Sequence, residues 1–215
     1  MDYKQVYASG AGRYQELVGA EDADGNLLPA LATHLAGLSK VVEIGAGTGR
    51  VTRLLQALDL EVVATEPSSN MLHEAVRLAD AYSNSGSDSA PGSGSDPNPD
   101  STTGPRCSFC LADAASLPLR TDSFDAAIAG WVYGHQREWR PHDWRDTITG
   151  FLTECDRVTA NGTIILIETL GTGHETPHPS PELTEYYAWL EQSMGFSQQW
   201  IRTDYEFSSV EIAAE

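Results

Sequence analysis

A chain of 215 residues, 40% of them hydrophobic, has material for one α/β domain with a packed interior and is short for two. Thirty-one acidic residues against thirteen basic ones give a formal charge of −18, which repels phosphate backbones and anionic lipid and excludes nucleic acid and membrane surfaces as expected partners. Three cysteines do not make a disulfide framework, and no apolar run is of bilayer length. Residues 1–10 have neither the basic nor the apolar region of a secretory leader, so a cytoplasmic location is expected.

Residues 1–30 carry scattered aromatics (Tyr3, Tyr7, Tyr14) and a turn-like stretch over 22–26, which predicts one or two short helices ahead of a main domain over 39–215. Apolar residues recur at helical spacing over 27–38, with Pro29 near the start, where a helix tolerates it. The β-branched run over 40–44 then predicts a strand, followed at once by Gly45-Ala46-Gly47-Thr48-Gly49 and a helix over 50–58. A second strand over 60–65 ends at Glu66. Pro67 opens a helix with Met71, Leu72, Ala75, Val76 and Ala79 on its apolar positions. Residues 83–105 are Ser, Gly, Asp, Pro and Asn with almost no core former, and predict a disordered low-complexity insert.

The alternation resumes with strands over 107–112 and 124–130, then a helix over 143–158 and an Asn161-Gly162 turn. The run 163–168 is apolar on both faces and predicts a strand in the middle of the sheet. A Gly/His/Pro loop over 171–179 leads to a helix over 181–194, a sixth strand over 196–207, and a helical start after Val210. Strand and helix in such short alternation are the signature of a mostly parallel α/β sheet with helices on both faces.

The glycine run joins a strand to a helix, and each glycine has a task there: a tight turn, close approach of a ligand to the backbone, and close packing of helix on strand. An acid, Glu66, ends the next strand seventeen residues after Gly49, where a carboxylate can accept both hydroxyls of a ribose. A dinucleotide site needs a small residue near position 50, and this chain has Arg50; no Gly-Lys-Ser/Thr follows to make a phosphate loop. The spacing favours a nucleoside ligand.

Val41-Val42-Glu43-Ile44-Gly45-Ala46-Gly47-Thr48-Gly49-Arg50 resembles the first motif of class I S-adenosylmethionine-dependent methyltransferases, and Thr65-Glu66-Pro67-Ser68-Ser69-Asn70-Met71-Leu72 resembles their second. The stretch 111–125 resembles the third motif of the methyltransferase-11-like group. The stretch 161–168 is similar to its Gly-Gly turn and fifth strand, with Asn161 in place of the first glycine. The resemblance implies a Rossmann-like doubly wound fold, S-adenosylmethionine as cofactor, and an N-terminal helical segment over 1–38 covering its site. It implies that Glu43 organises the loop and lies near the ammonium of the methionine moiety, with Gly45, Ala46, Gly47 and Gly49 lining the backbone cradle. Glu66 would hold the ribose, with Pro67 and Met71 beside it. Asp113 would accept from the adenine amino group and the Ala114 amide would meet a ring nitrogen, while Gly130 and Trp131 would lie near the sulfonium.

Methyl transfer from a sulfonium needs alignment above all, and alignment alone supplies roughly 7–11 kcal/mol of the barrier. A hydroxyl or ammonium acceptor also benefits from a base. His135 and Tyr133, which follow the fourth strand, are the catalytic candidates, with Glu168 at the end of the fifth strand as the third. Tyr186, Tyr187 and Trp189 line an acceptor pocket or pack in the core. No metal site is expected: Cys107 and Cys110 lie three apart on a strand and point to opposite faces, and Pro177 and Pro179 break any helix that would align His174 with His178. The segment Ala129-Gly130-Trp131-Val132-Tyr133 lacks the Asn/Asp-Pro-Pro-aromatic motif of amino-directed DNA enzymes, so a small-molecule acceptor is expected. A non-catalytic S-adenosylmethionine-binding module and, less favoured because of Arg50, an NAD-dependent oxidoreductase are the alternatives. The complete fold of this class ends in an antiparallel hairpin, and here its last antiparallel strand has no counterpart. Either another chain covers that sheet edge, as in a homodimer, or the chain is a shortened form.

Overall fold

The short apolar runs and amphipathic stretches of the chain become a five-stranded parallel sheet flanked by helices in a computed structural model that describes residues 18–85 and 107–210. In chain order the elements are α1 (Leu27–His34), β1 (Lys40–Ile44), α2 (Arg50–Ala57), β2 (Glu61–Glu66), α3 (Ser69–Ser85), β3 (Cys107–Leu111), β4 (Ala126–Gly130), α4 (Gln136–Trp139), α5 (Trp144–Thr159), β5 (Thr163–Ile167) and α6 (Pro181–Ser193). The strand order is β3-β2-β1-β4-β5, and every pairing is parallel. The chain starts at the centre, winds outward to β3, then returns to the other side of β1. That reversal opens a crevice at the carboxyl ends of β1 and β4, the place where open α/β sheets take ligands.

Successive residues of a strand face opposite sides, so a sheet covered on both faces needs apolar residues at every position. Val41, Val62, Ala64, Ala126 and Ile128 pack on one face against Leu31 of α1 and Val51 and Leu55 of α2. Val42, Ile44, Ala127 and Ala129 pack on the other against Ile148, Leu152, Cys155 and Val158 of α5 and Tyr186 and Leu190 of α6. The Asn161-Gly162 turn after α5 is as the sequence predicts, and it begins one residue early, with Ala160 itself left-handed at φ 49°.

Two expectations are corrected. β5 is an edge strand of the described sheet, with β4 on one side only, and its isoleucines and Leu166 are half-buried. Ile164 and Leu166 pack into one core cluster while Ile165 and Ile167 pack into the other. Two-sided apolarity therefore reports the covering of faces and is silent about neighbours in the hydrogen-bonding direction. The second correction concerns residues 196–207, which form no strand. Their backbone turns instead to the stretch before α1: the Ala23 amide donates to the Asp204 carbonyl at 3.1 Å, the Glu206 amide to the Ala20 carbonyl at 2.9 Å, and Glu21 and Tyr205 form an isolated antiparallel bridge. Between this segment and β5 lies an open cavity of about 1500 Å³.

Of the short helices expected over 1–30, the part over 1–17 lies outside the described residues, as do the helical start beyond Val210 and the 83–105 insert from residue 86 on; residues 83–85, expected in the insert, are instead the end of α3. Among the described residues, no helix is long and apolar enough to cross a membrane.

One carboxylate ties the two central strands at their amino ends. Asp125 Oδ2 accepts from the amides of Ser39 (2.9 Å) and Lys40 (2.8 Å) and from the Ser39 hydroxyl (3.0 Å), and these donors hold its carboxyl below the usual range. A depressed acid stabilises the fold above its unfolded pKa, and that contribution is lost as pH falls through the folded pKa. Asp125→Ala is expected to lower the urea midpoint at neutral pH by the equivalent of about 1–2 kcal/mol. The gap to wild type should close as the medium is acidified below the carboxylate range. A gap that stays constant with pH contradicts this.

Candidate functional site

The loop between β1 and α2 is built on left-handed glycines. Gly45 (φ 68°) lies so close to Val132 that an added Cβ would fall 2.6 Å from its Cγ2, and Gly49 (φ 83°) begins α2 beside Ala75. The loop is pinned at three levels. The Ala46 amide donates to the Thr65 carbonyl at 2.9 Å, the Gly47 amide to Glu66 Oε2 at 2.9 Å, and the Gly49 amide to the Ala46 carbonyl at 2.8 Å.

Two buried acids flank the loop, and one of them, Glu66, takes the Gly47 amide. Glu43 is 2% exposed and accepts the Thr52 hydroxyl at 2.5 Å, while its carbonyl accepts the Thr65 hydroxyl at 2.8 Å. Burial pushes its carboxyl up to about 8, against the pull of Thr52 and of Arg53. Glu43 therefore ties β1 to α2 through Thr52. Its enclosed carboxyl offers no face to a ligand ammonium, which corrects that part of the expectation. Glu66, at the end of β2, is 7% exposed; Oε2 takes the Gly47 amide and Oε1 the Ser68 amide at 2.8 Å. Burial raises its carboxyl as well, opposed by those two amides. A carboxylate has about four lone-pair positions, so after two amides it retains acceptor capacity for hydroxyls.

The other predicted cofactor residues separate into two groups. The Ala112 amide donates to the Glu66 carbonyl at 3.1 Å, which sets Asp113 and Ala114 beside the end of β2. Asp113 is exposed, and one of its oxygens, Oδ1, closes a turn by accepting the Ala115 amide at 2.8 Å. Gly130 sits against Val51, and Trp131 follows it in a left-handed conformation (φ 55°) uncommon for a bulky residue, with its amide donating to the Ile167 carbonyl at 2.7 Å. Pro67 is exposed on the rim. Met71 is fully buried and presents no surface, because α3 turns it inward as a core residue.

Of the catalytic candidates, Tyr133 is corrected. It is fully buried, its ring packs 5.4 Å from Phe151, and its hydroxyl is engaged with Cys155 Sγ at 3.3 Å. Burial drives its hydroxyl well above the usual range, so it is neither reachable nor a base. His135 stacks on Trp139 at 5.2 Å ahead of α4, burial lowers its pKa, and it does not line the 1500 Å³ cavity. Glu168 does line it, together with Trp131. Its Oε1 accepts the Gly134 amide at 2.9 Å and the Tyr186 hydroxyl at 3.1 Å. The residue is half-exposed by surface, yet its carboxyl is enclosed by the backbone after β4 and by α6. That burial lifts it to about 7 despite the Gly134, Tyr186 and Tyr133 donors.

The sequence reading missed Thr52 and Thr65, which hold Glu43, and Gly134, whose added Cβ would lie 2.9 Å from Glu168 Oε2. Thr52 carried a signal: it is the polar residue between Val51 and Leu55 on the face of α2 that packs on the sheet. Tyr186 is a core residue with a polar duty, and Tyr187 and Trp189 pack at the edge of that core. Cys107 and Cys110 are half-buried free thiols, and no cluster of metal-binding side chains occurs among the described residues.

The polar groups around the loop suit a nucleoside. The carboxyl oxygens of Glu66, at the end of β2, and of Asp113, just past β3, can accept from hydroxyl and amino groups, and Arg50, where a dinucleotide site needs a small residue, supplies a largely buried guanidinium. The described cavity lies along β5 and not over this loop.

A family model described as a methyltransferase domain matches residues 42–167. The PH0226 protein from Pyrococcus horikoshii OT3 is similar over 92% of this chain and 73% of its own, at 17% identity and a TM-score of 0.53. A SAM-dependent methyltransferase from Methanosarcina mazei matches over 60% of this chain and 51% of its own, at 22% identity and a TM-score of 0.43. The YcgJ protein from Bacillus subtilis matches over 67% and 47%, at 16% identity and a TM-score of 0.43. The chain thus spans about half the length of the last two. At these identities the Pyrococcus likeness supports the fold alone. Among curated proteins none matches the chain.

The raised carboxyl of Glu43 has a measurable consequence. Folding favours its protonated form, so its contribution is fully present below its ordinary value near 4.5 and is lost as pH rises through about 8. Glu43→Gln keeps an oxygen for the Thr52 hydroxyl and removes the titration. Its stability relative to wild type is expected to rise between mildly acid and mildly alkaline pH in denaturation midpoints; a difference independent of pH would show that Glu43 is not buried as described.

Proposed function

Since the chain belongs to this methyltransferase-domain family, with S-adenosylmethionine as its cofactor, we propose that it methylates a small molecule held between Trp131 and Glu168. The cofactor supplies a methyl group already activated on a positively charged sulfur, so the work of the protein is to bind, align and handle one proton. In this reading Glu66 accepts from the ribose hydroxyls without releasing the Gly47 and Ser68 amides. Asp113 accepts from the adenine amino group through the oxygen not used in its turn, and the Ala114 amide donates to the ring. Trp131 walls the end of β4, next to the reacting centre.

Glu168 is the residue best placed to take the acceptor's proton. The observation that carries this is its position: it directly follows β5, lines the same cavity as Trp131, and is oriented by the Gly134 amide and the Tyr186 hydroxyl. A carboxyl near 7 is matched to proton transfer at neutral pH. The groups facing it from the β4 side and from α6 are Tyr133, Tyr186 and Tyr187. Burial pushes all three phenols up, so they stay neutral while Glu168 titrates. The strongly acidic chain supports a small acceptor over nucleic acid.

The test is transfer of a labelled methyl group from S-adenosylmethionine into metabolite, protein and nucleic-acid fractions of a cell extract. Label in the small-molecule fraction is expected; label confined to macromolecules, or none anywhere while the cofactor binds, overturns the reading. With the acceptor so identified, Glu168→Gln is expected to lower kcat by about 10²–10⁴-fold with cofactor affinity unchanged. The wild-type rate should rise with pH through about 7 as the carboxyl ionises, a step missing from the variant.

A further inference from the structure

Arg50 opens α2 immediately after the glycine loop, and its guanidinium is held on two sides. It stacks over Trp131, with Cζ 4.1 Å from the ring centroid, and its Nη1 donates to Glu21 Oε2 at 2.6 Å. Glu21 is fixed in turn by the Thr203 hydroxyl and the Tyr205 hydroxyl, both at 3.2 Å. The third side is different: Nη2 is buried and has no hydrogen-bond partner. The arginine and glutamate side chains are only 13% and 12% exposed, so water reaches this pair poorly. An unpaired buried donor on a charged group costs more than a neutral one, and such a group calls for an explanation.

Local charge points the same way. Arg53, one turn along α2, is close enough to Arg50 for their charges to repel, and its Nη1 reaches only the Thr48 carbonyl, at 3.3 Å. The acid whose charge acts on Arg53 is Glu43, and its carboxyl is buried against Thr52. Among the described residues, the only ion pair made by these two guanidiniums is that of Arg50 with Glu21. In a chain of net charge −18, two neighbouring arginines with that single ion pair stand at the start of α2, next to the glycine loop.

We propose that Arg50 Nη2 donates to the carboxylate of the cofactor's amino-acid tail, making Arg50 a further cofactor-binding residue. The inference rests on the cofactor assignment above. A nucleoside whose ribose is at Glu66 lies on one side of the glycine loop, and Arg50 and Trp131 stand together on the side toward β4. A tail crossing the loop ends at the guanidinium. The Trp131 stack and the Glu21 pair set the plane of the guanidinium, so the remaining donor is aimed before the ligand arrives. The same arginine that excludes a dinucleotide by its bulk thus selects a ligand with a single carboxylate.

The test compares two ligands by calorimetry: S-adenosylhomocysteine, and S-adenosyl-3-thiopropylamine, which is the same molecule without its carboxylate. Wild type is expected to prefer the first by about thirtyfold, equivalent to ~2 kcal/mol at 1.4 kcal/mol per tenfold. Arg50→Gln should lose that preference, binding the decarboxylated ligand as wild type does. Equal weakening toward both ligands would mean that Arg50 only braces the loop, and overturns the proposal. Should Arg50→Gln fail to fold, Arg50→Lys decides: its single ammonium cannot serve Glu21 and a carboxylate with the same geometry, so the preference falls. An unchanged preference overturns the proposal. Wild-type protein that binds neither ligand counts against the cofactor assignment itself.

Discussion

The glycine loop takes its shape from two acids buried at the ends of adjacent strands. β1 and β2 run parallel in a register that sets Glu43 opposite Ala64 and Ile44 opposite Thr65, so Glu43 and Glu66 flank the base of the loop. Carboxyls in such a place are expensive unless every oxygen is engaged. Glu43 is engaged with Thr52, and Glu66 with the amides of Gly47 and Ser68. The division of labour follows from their depth. The deeper acid, pushed toward neutrality, is an internal brace, while the one at the strand end keeps acceptor capacity facing the crevice. Arg50 follows the loop directly at the start of α2, and the Glu66 carbonyl takes the Ala112 amide just before Asp113.

The other half of the sheet is governed by a different fact: β5 has one neighbour. Its unpaired side faces a cavity whose opposite wall is the extended segment 196–207, and that segment is held by residues 20–23 rather than by the sheet. The edge Thr163-Ile164-Ile165-Leu166-Ile167 carries no charge, no proline and no bulge, the features that ordinarily protect an edge. Glu168 follows directly, at the point where the edge meets the backbone after β4. The proposed acceptor chemistry thus sits beside an open sheet edge.

Much of the cofactor side was legible in the sequence because its signals are local. A β-branched run, three glycines, a helix and a strand ending in an acid are close in the chain and close in space. The acceptor side was not, for reasons particular to each residue. Tyr133 and His135 follow β4 as candidates should, but the backbone after Trp131 turns Tyr133 into the core under Phe151 and lays His135 on Trp139. Their fate depends on α5 and α4 packing, which no spacing rule encodes. β5 reads as central because both of its faces are covered, and periodicity cannot see a missing neighbour. Residues 196–207 have strand-like composition, yet a strand needs a partner in register, and their amides and carbonyls found one before α1.

The central claim is that a nucleoside is gripped by Glu66 beside the glycine loop. Titration calorimetry of wild type and Glu66→Ala with S-adenosylhomocysteine, alongside wild type with NAD, tests it most directly. Saturable binding of S-adenosylhomocysteine and none of NAD is predicted, with affinity lowered by at least about tenfold in the variant, as loss of charge-assisted hydrogen bonds requires. Tight binding of NAD, or a Glu66→Ala protein that binds S-adenosylhomocysteine as well as wild type, would contradict it.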